Sequence, residues 1–179
     1  MNDTPEKPLD AAVLKVLIAE AARIEEDSTY SAKGQYECAD AWAYRNLWIG
    51  IPTTVVAAGA GVVALKDQPI LAGIMSLAVA ASSAVFTFLN PREQALNHLA
   101  AGNAFKALQN DARIFYTIEC VHRPNDAGLV ADLKALNERR NKLNAESPQP
   151  SRKAFERARK GIEAGEARYA VDAEKSRPA

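Results

Sequence analysis

The chain has 179 residues with 22 basic and 22 acidic side chains, so its formal net charge is zero, and 48% of its residues are hydrophobic. That length holds one domain or one small membrane protein, and the absence of a basic excess gives no footing for nucleic acid as a partner. The average conceals a segregation. Residues 1–46 carry 5 basic and 9 acidic side chains, residues 47–91 carry Lys66 and Asp67 alone, and residues 92–179 carry 16 and 12.

In chain order, Asp10 is placed to cap a helix running to about Asp27, with Leu14, Leu17, Ile18, Ala21 and Ile24 on one face. A second segment from about Thr29 through Tyr30, Tyr36 and Trp42 leads into the apolar region, where Gly50 with Pro52 marks a bend or a restart. Two charge-free windows follow back to back: NLWIGIPTTVVAAGAGVVAL at 46–65 and QPILAGIMSLAVAASSAVFTFLN at 68–90. About 20 residues rising 1.5 Å each cross a hydrocarbon core of roughly 30 Å, so the pattern predicts two transmembrane helices in a hairpin. Lys66, Asp67, Gln68 and Pro69 form its tip. A charged pair is tolerated at an interface but costs roughly 2.5–3.5 kcal/mol per residue at mid-bilayer.

Residues 1–45 hold no short apolar core with a small-residue cleavage site, so both polar flanks are expected on one side. Lys33, Arg45, Arg92 and Lys106 outnumber Lys66, which puts both termini in the cytoplasm and Trp48 and Phe88 at that interface. Cys38 and Cys120 then lie in a reducing compartment, where a structural disulfide is not expected. The competing reading is a buried hairpin inside a soluble helical bundle, because Gly50, Pro52, Thr53, Thr54, Gly59 and Gly61 make the first window only weakly hydrophobic.

Beyond the hairpin, Asn90 is a candidate N-cap, Pro91 takes the first helical position, and Glu93 stands where a capping box needs it. The stripe Ala101, Phe105, Leu108, Ala112, Phe115 carries this helix to about Cys120, and RPNDAG ends it. Leu129, Leu133, Leu136 and Leu143 follow at coiled-coil spacing with Arg140 interrupting. After SPQPS, the series Phe155, Ala158, Ile162, Gly165, Tyr169 repeats that spacing, so the two helices are expected to pack on each other as an antiparallel pair. The fold expected is all-α: cytoplasmic helices at 1–45, a two-helix membrane hairpin at 46–90, a cytoplasmic helical region at 91–172 completing a small bundle, and a frayed tail at 173–179.

No catalytic constellation is visible. His98 and His122 are the only histidines, Cys120 and His122 point to different helix faces, and neither a phosphate-binding glycine loop nor a CxxC pair occurs. No enzyme activity, cofactor or metal is expected. The hairpin is more informative: Thr53, Ala57 and Gly61 recur every four residues, as do Ala72, Ser76, Ala80 and Ala84, the small-residue pattern that lets helices approach closely in lipid. Ala72, Ser76, Ala80, Ser83 and Thr87 also share a mildly polar stripe, which either packs on a helix or lines water in an oligomer.

The segments TYSAKGQYECADAWAYRNLWIGIP, FLNPREQALNHLAAGNAFKALQNDARIF and SPQPSRKAFERARKGIEAG, with the two windows between the first pair, resemble the SLATT family, two-transmembrane modules associated with SMODS and SLOG domains. Tyr30, Lys33, Trp42, Gly50, Pro52, Asn90, Pro91 and His98 are the positions that carry the likeness best. The resemblance implies a bacterial anti-phage effector that opens a pore in the inner membrane when a nucleotide signal is sensed. Its sensor or nucleotidyltransferase would be a separate protein, because neither flank is long enough for an α/β nucleotide-binding domain. No role is carried onto His98. The expected partners are the bilayer, further copies of the chain and that sensor; the alternative function is a membrane anchor that recruits a cytoplasmic partner without forming a pore.

Overall fold

The computed structural model describes residues 9–66, 68–167 and 169, and every regular element among them is helical. These are α1 (Ala11–Ala64), α2 (Pro69–Leu89), α3 (Pro91–Ile114) continued by a π-helical turn (Phe115–Glu119) and the short α4 (Cys120–His122), then α5 (Gly128–Glu146) and α6 (Arg152–Glu163). Asp67 of the expected tip and the tail at 173–179 lie outside the described residues. The chain divides into two compact units, the first combining the chain up to Glu37 with the chain from His98 and the second of Cys38–Asn97. Neither boundary falls at a loop, because α1 and α3 each run unbroken through it.

α1 is one helix of 54 residues, where the sequence suggested a break near Thr29 and another at Gly50 and Pro52. Asp10 caps it, its Oδ1 accepting from the Ala12 N–H at 3.2 Å. Thr29 stays helical by donating its hydroxyl to the Glu25 carbonyl at 2.8 Å. Pro52 withholds the donor that the Trp48 carbonyl would receive, and on the next turn the Thr53 and Thr54 hydroxyls donate to the carbonyls of Ile49 and Gly50 at 2.7 and 2.9 Å.

In the first unit, Leu17, Ala21 and Ile24 of α1 meet Leu108, Ala112, Phe115 and Cys120, and α5 closes the core with Leu129, Leu133, Leu136 and Leu143. The expected α3 stripe from Ala101 to Phe115 is buried throughout. Phe115 and Cys120, five residues apart, are both core, whereas five α-helical steps of about 100° would put them on different faces; the π turn between them fits an extra residue into the turn, rotates less per residue, and returns Cys120 to the core side. The expected pairing of α5 with α6 through their apolar series is corrected: the α5 leucines pack on α1 and α3. α6 buries Ala154, Ala158 and Gly161 and leaves Phe155 45% exposed. Gly165, at φ 94°, ends that helix in the left-handed conformation that favours glycine.

In the second unit, α1 and α2 pack through Ala60 and Ala72, with Gly59 letting the Met75 methyl approach so closely that a Cβ would stand 3.0 Å from it. α2 has 21 residues and is about 30 Å long at 1.5 Å per residue. Asn90 ends it at φ 40°, a conformation asparagine tolerates, and Pro91 opens α3. The expected capping box is not formed. The Asn90 N–H bonds the Phe86 carbonyl at 3.0 Å, and Glu93 instead meets the Asn90 side-chain amide.

Candidate functional site

Two helices of this chain are long and apolar enough to cross a membrane, and of their most apolar windows only 6% and 0% of residues are buried within the chain. Trp48, Ile51, Val55, Ile74, Leu77 and Phe88 are all exposed. Of the small residues that the sequence singled out, Thr53 is half-buried and Ala72 buried against the partner helix, whereas Ala57, Gly61, Ser76, Ala80, Ser83, Ala84 and Thr87 stand open. The face that joins α1 to α2 is therefore the neighbouring one, and the expected stripes are left without a partner helix. Lys66, Gln68 and Pro69 are exposed where the turn closes, with the Lys66 N–H on the Val63 carbonyl at 3.1 Å. Tyr44 and Trp48 lie with ring centroids 5.8 Å apart, and the Arg45 guanidinium sits 4.5 Å from the Trp42 ring.

The second concentration of chemistry is a polar junction in the other unit, where five consecutive α1 residues each hold a different partner. Lys33 pairs with Glu166. Gly34 faces Pro150, whose Cβ would be 3.8 Å from a Cβ placed there. Gln35 donates Nε2–H to the Pro148 carbonyl at 2.7 Å and meets His98 Nδ1 through Oε1 at 2.6 Å. Tyr36 donates to Asn103 Oδ1 at 2.9 Å and lays its ring over Gly102, while Glu37 pairs with Arg157 at 2.9 Å.

Gln35 and His98 are 2% and 4% exposed. Their geometry fixes a tautomer: the Pro148 carbonyl can only accept, so the glutamine oxygen must face the imidazole, and Nδ1 must carry the proton. Burial also holds the His98 pKa below its ordinary 6.5. Burial likewise raises the Tyr36 phenol, which stays a neutral donor. The buried Cys120 thiol is pushed up by desolvation and then by the Glu119 charge, with Arg123 opposing, so it is a poor nucleophile at neutral pH.

Of the remaining positions picked out in the sequence, Tyr30 lines a cleft with Gln35, Phe105, Pro148 and Phe155. Gly50 lies beside Phe86 in a shallow groove of the hairpin unit, and Pro91 is fully buried. Gln35, Gly102 and Asn103 escaped notice in the sequence; a glycine inside an otherwise regular helical stripe was the one available signal. Among the described residues no group of three or more His, Cys, Asp or Glu side chains is arranged to hold a metal ion. The chain matches no family model, no curated protein and no solved structure.

Proposed function

We propose that the protein is a non-enzymatic, two-pass protein of the bacterial inner membrane, with both termini in the cytoplasm, acting as an effector whose hairpins assemble into a pore. The carrying observation is the apolar surface of α2 and of the second half of α1, which the chain itself leaves almost wholly uncovered. A soluble bundle would bury those faces; a bilayer supplies the missing apolar surroundings. Fractionation should find the full chain in the membrane pellet, and a cysteine at Gln68 should react with an impermeant thiol reagent from outside the cell. A detergent-free soluble monomer would end the proposal.

One hairpin encloses no lumen, so pore formation requires several copies. The open small-residue stripes on α1 and α2 supply faces on which hairpins can meet. The resemblance to SLATT modules supports activation by a separate nucleotide-sensing or nucleotidyltransferase partner, and makes growth arrest the outcome. Co-expression with that partner should collapse the membrane potential; intact potential and normal growth would overturn the pore.

A second reading, a membrane anchor for a cytoplasmic scaffold, draws support from Thr53 and Thr54. Their hydroxyls bond their own helix and are not offered to a lumen. An unrelated hairpin replacing residues 46–90 would preserve an anchor and abolish a pore.

A further inference from the structure

We propose that residues 148–166, with α6 at their centre, form a detachable clasp over residues 33–37 of α1. Two properties make this segment easy to release. The first is what holds it. α5 is fixed by four leucines in the apolar core, whereas α6 fully buries only Ala154, Ala158 and Gly161, half-buries Ile162 and leaves Phe155 45% exposed at the edge of a cleft. Besides Pro150 against Gly34, the segment's attachments to α1 are polar: the Arg157 pair with Glu37, the Lys33 pair with Glu166, and the Gln35 bond to Pro148. Ion pairs with this much exposure contribute little in water.

The second property is incomplete packing. A cleft of about 450 Å³ separates the 147–155 stretch from α1 and α3, lined by Tyr30, Gln35, Phe105, Pro148 and Phe155. Close-packed interiors leave few voids larger than a water molecule, so this cleft leaves one side of the segment without full packing contact. The clasp closes on the α1 residues just before Cys38, where the hairpin unit begins, and Gln35 alone carries the contact on to His98. Releasing it removes the clasp-side partners of Lys33, Gln35 and Glu37 together and leaves Gln35 with His98 alone, while the α5 core is untouched.

The clasp stands on the geometry of this unit alone; its use as a brake on the hairpin rests on the membrane reading above. Hydrogen exchange on the full chain in lipid nanodiscs tests it. Amides of 152–163 should exchange at least about tenfold faster than those of 129–143. Arg157→Glu should speed α6 further and expose 33–37, with α5 unchanged, and the double exchange Arg157→Glu with Glu37→Arg should restore protection. Equal protection of α5 and α6, or acceleration of both by Arg157→Glu, would overturn the clasp. If the brake operates, Arg157→Glu also lowers membrane potential without an activating partner. Faster exchange with an intact potential upholds the clasp and counts against the pore.

Discussion

Gln35 and His98 lie 63 residues apart in sequence and meet through a 2.6 Å hydrogen bond, with the same glutamine tied to the Pro148 carbonyl. One side chain thus joins α1, α3 and the loop before α6. Gln35→Leu would leave a buried imidazole N–H and a carbonyl without their partner, at about 1–3 kcal/mol each. Denaturant unfolding of the purified protein should show that loss. Adding His98→Leu should recover part of it, because an apolar pair in place of a polar pair removes the orphaned donor.

The same burial makes stability depend on pH. His98 has a folded pKa below its unfolded value of about 6.5, so between those two values the unfolded chain binds more protons and stability rises with pH. Stability is therefore full above about pH 6.5 and declines as pH falls toward the lowered folded value. Melting followed between about pH 7.5 and about pH 5.5 should show this slope, and the His98→Leu, Gln35→Leu variant should flatten it. In a His122→Asn background, the single imidazole NMR signal should titrate below about 6.5.

Gly102 permits the crossing of α1 over α3. A Cβ at this position would stand 2.7 Å from Cε1 of Tyr36, closer than any real contact, and the Tyr36 ring is held in place by its bond to Asn103. Gly102→Ala should destabilise the unit by about 1–3 kcal/mol despite its better helix propensity. Replacing Tyr36 with alanine in that variant should relieve the collision but not the lost ring packing. Thermal melts of the wild type, the two single variants and the double variant would reveal a coupling between positions 36 and 102; strict additivity would refute it.

How much of this was legible beforehand depends on what carries the signal. The α3 stripe was readable because its residues are large and spaced by four and three, and all five are buried. The two charge-free windows were readable from charge alone. The continuity of α1 was not: a local breaker such as Pro52 argues for a stop, yet the helix runs through it. On α6 the expected series is inward at Ala158 and half-buried at Ile162, but Ala154 and Gly161 went unseen because they pack through smallness, which hydropathy barely registers, and the more conspicuous Phe155 is 45% exposed. The π turn is visible only as a step of five after the steps of four and three, once Cys120 is known to be core. The pairing of Gln35 with His98 has no local signature at all, since nothing near either residue names the other.

Gly59 and Gly61 separate the folding of the hairpin from its assembly. A Cβ at Gly59 would meet Met75 at 3.0 Å, whereas nothing lies within 4 Å of a Cβ at Gly61. Gly59→Leu therefore requires the Met75 side chain to move aside within the α1–α2 contact and should weaken the hairpin itself, lowering its yield in the membrane. Gly61→Leu meets no clash within the chain and should insert normally. If Gly61 lies on the contact between hairpins, as the proposed assembly requires, the leucine blocks close helix approach and shifts cross-linked oligomers toward monomer, with loss of membrane depolarisation. Normal oligomers and undiminished depolarisation from Gly61→Leu would mean that this stripe faces lipid, and the interface between copies would have to be sought on the open face of α2 that carries Ser76 and Ser83.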